Sequence, residues 1–378
     1  MNAEENKKPE AVILIHGMDG DIQGNILSKL ERGIVDSTAT GRVEIQVPTD
    51  VRGHSARVLE VSSPDDFKHT KTLHLYEAYW GDTLDKITQL GVRKQIGRGF
   101  ELIFYWLGTP FMRAKNWYIA FGGTMTTIAM LLWWYGLVIT GLGLAIPIAG
   151  DKSLSAIFLG WASKGGIWAY PSLVAGYLTH VYAGLGIMAI TTPMTKIIES
   201  VVNILHNCSR YIFDDNLRHR IWKRLGSLVL ELDESQQYSR ITILSHSFGT
   251  VIHVNWMADY TGYSQTPVRH ITMGGPMAVM ALRSDLIMSD ILNALKNPEV
   301  KKQEWTDFYS RFDWMCTAMP DGSGERSFKT SQLANSGRSI DSVCIEFPNS
   351  SLKKKFLGTH HTEYFHHESV IAKVVDLR

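Results

Sequence analysis

Residues 241–250 read ITILSHSFGT, and they place Ser247 where a β-type run breaks into a new pattern. Ser245 and Gly249 are the small neighbours two positions before and two after. A tight strand-to-helix bend of this form crowds its neighbours and makes the central serine protrude, as a nucleophile must. The helix that follows aims its first N–H groups at the serine, where negative charge would develop during attack on a carbonyl. A Ser-x-Ser-x-Gly run often arises by chance, so by itself it marks an ordinary turn more often than a nucleophile. The remainder of the chain has to decide.

The elements that could hold such a serine are legible. AVILIHG (11–17) is a short continuous apolar strand ending in glycine. Ile26, Leu27, Leu30 and Ile34 then recur at helical spacing. VEIQV and RVLEV alternate like strands joined by the turn-rich PTDVRGHS, and LHLYEAYWG (73–81) is another strand candidate. Leu217, Ile221, Leu225, Leu228, Val229 and Leu232 form a helical stripe leading up to the serine run. VRHITM, WTDFYSRF and SVCIEF supply further strands.

At this point the residues resemble the α/β-hydrolase superfamily, the lipase- and esterase-like serine hydrolases. The resemblance covers about 1–100 and 205–378. It implies an α/β fold with a mostly parallel sheet flanked by helices. Ser-x-Ser-x-Gly departs from the family's usual pattern, which has glycine at the position of Ser245. His16-Gly17 in VILIHGMDG resembles the family's oxyanion strand end, which makes Gly17 and Met18 the oxyanion loop and Met18 and Phe248 the N–H donors. HITMGGPM matches the strand-Gly-small-Pro turn expected after the next strand. WTDFYSRFDWMCTAMP resembles the acid strand, with Asp313 the candidate and Asp321 second. THHTEYFHHESVIAKVV resembles the histidine loop, in which His361 fits the register and His360, His366 and His367 read as surface residues. His246 and His253 read as structural. The implied triad is Ser247, His361 and Asp313, in the order Ser, Asp, His along the chain.

Composition narrows the field. The 378 residues carry 38 Lys and Arg against 37 Asp and Glu, a net charge of +1, so no nucleic-acid partner is expected. Cys208, Cys316 and Cys344 are widely spaced and form no metal pair, and no His-Glu-x-x-His accompanies the HHTEYFHH cluster. Neither a metal nor a cofactor is expected. The N-terminal MNAEENKKPE is polar and lacks the apolar stretch of a secretory signal.

One region stands apart. No charged residue occurs from Asn116 to Gly150, nor from Gly165 to Thr195. A bilayer crossing needs roughly 20 apolar residues, so each run is long enough to span. Gly136, Gly141, Gly143, Gly176, Gly184 and Gly186 would let two helices pack closely, and Tyr105, Trp106 and Trp117 suit the headgroup layer. Oxyanion strand and nucleophile strand must share one sheet, so the chain must leave and return on the same side. The expected organisation is therefore a hydrolase domain in two parts, 1–100 and 201–378, with an inserted membrane hairpin at 101–200. Arg93, Lys94, Arg98, Arg113, Lys115, Lys196 and Arg210 flank it, against Lys152 and Lys164 in its loop, which favours a cytoplasmic catalytic domain. The expected partners are the lipid bilayer and a lipid or acyl-ester substrate, and Lys353, Lys354 and Lys355 could rest on anionic headgroups. A thioesterase or acyltransferase would use the same triad. A non-catalytic membrane scaffold is kept open by Ser245 and by the loose acid motif.

Overall fold

The computed structural model describes residues 8–18, 22–65, 70–85, 195–281, 283–311, 340–347 and 359–377, with isolated positions 124, 128, 131, 313, 316, 318 and 319. The chain divides into two compact units. The first comprises Met1–Leu84, Pro110–Ala120 and Asn207–Arg378, the second Asp85–Thr109 and Phe121–His206.

The first unit is an α/β structure around an eight-stranded sheet of order β2-β3-β4-β1-β5-β6-β7-β8. Its strands are β1 (Glu10–Ile15), β2 (Val43–Val51), β3 (His54–Ser62), β4 (Thr70–Glu77), β5 (Arg240–His246), β6 (Val268–Met273), β7 (Glu304–Tyr309) and β8 (Asp341–Cys344). From β4 to β8 every pairing is parallel, and only β2-β3 and β3-β4 are antiparallel. β1 and β6 are buried at every residue, as strands covered on both faces must be; β1 is apolar from Ala11 to Ile15, whereas β6 carries Arg269, His270 and Thr272 into the interior.

The period of two along each strand sorts the sheet's faces. Val12, Leu14, Leu244, Ile271 and Met273 pack in one core with Ile26, Leu27, Leu30 and Ile34 of α1 (Asn25–Asp36) and with Val370, Ile371 and Val374 of a C-terminal helix, Glu368–Val375. Between β4 and β5 lie α2 (Thr195–Phe213) and α3 (Asp215–Glu234), after β5 α4 (Gly249–Ala258), and after β6 a short turn Met277–Ala281 and α5 (Asp285–Lys296). The C-terminal helix is α6. The apolar stripe of α3 is buried throughout, and Asp214 caps it by accepting from the Leu217 N–H.

Two strands depart from the sequence reading. β4 stops at Glu77 rather than running to Gly81, and the Trp80 backbone N–H goes to His16 Nε2 instead of a neighbouring strand, while its indole N–H donates to the His16 carbonyl. β2 continues through Pro48 to Val51, where a turn-rich loop was expected. Pro48 is tolerated because β2 is an edge strand with a register irregularity between Gln46 and Thr49, and the turn shrinks to Arg52-Gly53, both at positive φ.

Among the described residues no helix is long and apolar enough to cross a membrane. Apart from Thr124, Ile128, Leu131 and Thr195, the two apolar runs expected to form the hairpin lie outside the described residues, as do Asp321 and Lys353–Lys355. Within the first unit, the stretch that ends at Leu84 and the stretch that resumes at Asn207 are tied together. Arg210 donates to the Thr83 carbonyl at 3.0 Å, and Arg224 grips Asp82 through two contacts of 2.5 and 2.9 Å.

Candidate active site

The site forms at the carboxyl ends of the parallel strands. β5 delivers Ser247 into the left-handed region, at φ 56°. A serine there is strained by about 1–3 kcal/mol, so its surroundings must hold it. Its N–H donates to the Met273 carbonyl at the end of β6 (3.0 Å), and its own carbonyl accepts from the Thr250 N–H and hydroxyl at 3.0 and 2.7 Å. Gly249 permits the turn to press against β1, since a Cβ there would lie 2.3 Å from the Ile15 carbonyl oxygen. That contact brings the end of the oxyanion strand against the serine turn.

His361 comes from the other end of the chain, in the 3-10 segment Thr359–His366 ahead of α6. Its Nε2 lies 2.7 Å from Ser247 Oγ, and its Nδ1 lies 2.7 Å from Asp313 Oδ2. An ionised carboxylate can only accept, so Nδ1 carries the proton and Nε2 is left to accept from the serine hydroxyl. Asp313 is fully buried, whereas the His361 side chain keeps 12% exposure, enough for a substrate to reach its edge. The three residues singled out in the sequence therefore meet in one hydrogen-bonded line.

Asp313 has a second partner, three residues beyond His361. Tyr364 donates its hydroxyl to the same Oδ2 at 3.2 Å, and its ring packs on Gly274, whose φ of 60° needs glycine. Cys316 Sγ lies 3.0 Å from the Tyr364 oxygen. Burial pushes both the tyrosine and the thiol up from their ordinary pKa values, so both stay protonated and Cys316 is inert as a nucleophile.

The expected oxyanion loop is pinned by His16, which is fully buried. The Trp80 N–H donates to His16 Nε2 at 3.3 Å, which leaves Nδ1 as the donor to the Gly17 carbonyl at 2.7 Å. The Trp80 ring stacks on His16, 5.2 Å away and tilted by 3°. Carbonyl and N–H point opposite ways across a trans peptide, so fixing the Gly17 carbonyl on His16 turns the Met18 N–H away from it. Phe248 supplies the second candidate N–H at the start of α4, and that N–H donates to no described residue. The Phe248 ring sits between Trp80 and Tyr211, at 6.0 and 5.2 Å.

Two polar arrays behind the serine turn left no sequence signal. Ser245 Oγ meets His253 Nδ1 at 2.9 Å, His253 Nε2 meets His270 Nδ1 at 3.0 Å, and His270 Nε2 meets Gln303 Oε1 at 2.5 Å. Burial holds His253 neutral, well below the usual imidazole range. The Ser245 hydroxyl thus has a buried partner on α4. Beside it, Tyr211 donates to Asn255 (3.1 Å) and Asn255 to Asp290 (2.9 Å), whose carboxyl burial pushes up to about 6.

Among the described residues no group of three or more His, Cys, Asp or Glu side chains could hold a metal ion. His366 is exposed and His367 caps α6 by accepting from the Ser369 N–H. Comparison of the chain with protein-family models, curated proteins and solved structures finds no match.

Proposed function

We propose that this chain is a serine hydrolase of the α/β-hydrolase type, cleaving carboxylic esters by way of an acyl-enzyme. The observation that carries the reading is the Ser247–His361–Asp313 line, with both links at 2.7 Å, standing on a strained turn at the carboxyl edge of a parallel sheet. Ser247 Oγ attacks the acyl carbonyl while His361 Nε2 takes its proton. The same proton then goes to the departing alkoxide, and water attacks the acyl-enzyme in the second half. Asp313 holds the imidazole tautomer and stabilises its cation. The N–H groups of Met18 and Phe248 receive the oxyanion, a contribution of about 3–4 kcal/mol per donor in comparable sites.

A lipid acyl ester is the substrate class that fits the rest of the chain. The uncharged runs 116–150 and 165–195 are read as a two-span hairpin that anchors the catalytic unit on the cytoplasmic side. The clamp of Arg210 and Arg224 on Thr83 and Asp82 supports this reading, because a hairpin must leave and rejoin its domain at one place. The detergent-solubilised chain should turn over a short-chain p-nitrophenyl ester and release fatty acid from mixed micelles. Ser247→Ala should lower kcat on both by about 10⁶. A wild-type protein no faster than Ser247→Ala would refute the assignment.

A further inference from the structure

Resting on that reading, we infer that His246 is a positioning residue that fixes the backbone of the catalytic base. His246 is the last residue of β5 and directly precedes Ser247. Its Nε2 lies 2.6 Å from the main-chain oxygen of His361. A carbonyl can only accept, so His246 Nε2–H is the donor. Consecutive residues therefore grip one partner at two places: Ser247 bonds the imidazole of His361, and His246 bonds its backbone. The two contacts bridge sequence separations of 114 and 115 residues.

The base needs this second hold. His361 sits in a 3-10 segment off the sheet, and a mismatch of about 1 Å in such a group costs on the order of 100-fold in rate. His246 belongs to the rigid part of the molecule. It is fully buried, and its ring lies 4.9 Å from both His361 and Phe365 and 6.0 Å from Tyr364. Strand alternation explains the division of labour. His246 points to the α6 face, where the His361 segment passes, and Ser245 points to the α4 face, where His253 waits.

The test compares donor with ring. His246→Phe keeps an aromatic ring against Phe365 and Tyr364 but has no N–H, while His246→Gln keeps a donor and loses the ring. With a short-chain p-nitrophenyl ester and the full chain in detergent, His246→Phe should lower kcat about 100-fold with KM within about twofold. His246→Gln should recover at least about tenfold of that loss. His246→Met against His246→Gln repeats the comparison at nearly equal volume, and serves where the Phe variant does not fold. A purely packing role predicts the reverse order, Phe better than Gln. That order, or equal rates for the Met and Gln variants, would overturn the inference. Failure of the hydrolase reading is separate: it appears as a wild-type chain without turnover.

Discussion

The same strands end in two different polar clusters, and the contrast between them separates stability from chemistry. At the amino ends Glu10, Arg240 and Arg269 of β1, β5 and β6 meet Lys71 and Asp376. Glu10 accepts from Arg269 and Arg240, each at 2.9 Å, and from the Thr242 hydroxyl. Asp376, just past α6, accepts from Arg240 and Arg269 at 2.7 and 3.0 Å, and Lys71 donates to the Val375 carbonyl at 2.7 Å. The carboxylates of this end face full cations, and the arrangement ties the last helix to the sheet. At the carboxyl ends the strands finish instead in a strained serine, with the buried neutral imidazole of His253 behind it and one carboxylate linked through His361 to a hydroxyl. Charge is paired where the fold is clamped, and protons are left transferable where a reaction can run.

Substitutions at the two ends should therefore separate cleanly. At the carboxyl end, after Ser247→Ala, the largest effect is that of Asp313→Asn, which should lower kcat by about 10⁴, because an amide lets His361 settle in the wrong tautomer, while the melting temperature changes little. Steady-state kinetics beside calorimetry would read both. Glu10→Gln should do the opposite, costing about 3–5 kcal/mol by leaving buried Arg269 poorly compensated, with kcat/KM unchanged. Urea unfolding would measure it.

pH sharpens the contrast. Burial would raise the Glu10 carboxyl, but Arg269, Lys71 and Arg240 outweigh it and hold it below its ordinary 4.5. A depressed acid contributes stability that is complete above its unfolded value and lost as pH falls through the folded one. Asp290, under the serine helix, has the opposite sign. Its folded value of about 6 lies above the ordinary 3.8, so its contribution is greatest below 3.8 and declines as pH rises through 6. Asp290→Asn should thus raise stability at pH 7.5 by on the order of 1–3 kcal/mol and flatten the stability curve between those values. This is the smallest of the expected effects, and a melting series in pH steps would resolve it.

Periodicity made the frame readable. The stripe Ile26, Leu27, Leu30, Ile34 became α1 and the stripe from Leu217 to Leu232 became α3, since a helix with one buried face has to repeat its apolar residues. Ser247 was legible because the strand, the turn and the small neighbours are all local. His361 and Asp313 were placed only through a family pattern, and the distances that join them arise from folding. His246, Trp80 and Tyr364 carried no comparable signal. Each acts on a group 51 to 115 residues away, and spacing along a chain does not encode such a meeting. Arg269 was hidden for a similar reason: a cation inside VRHITM is intelligible only once Glu10 and Asp376 are beside it.

Ser247 is the proposed activated hydroxyl of this molecule. Reaction of the full chain with a fluorophosphonate, followed by mass spectrometry of its peptides, asks this directly. The expected result is one phosphonyl group per chain, on Ser247, formed with loss of fluoride and abolished in Ser247→Ala. An unmodified Ser247 in a folded protein, or modification that persists in the alanine variant, would contradict it.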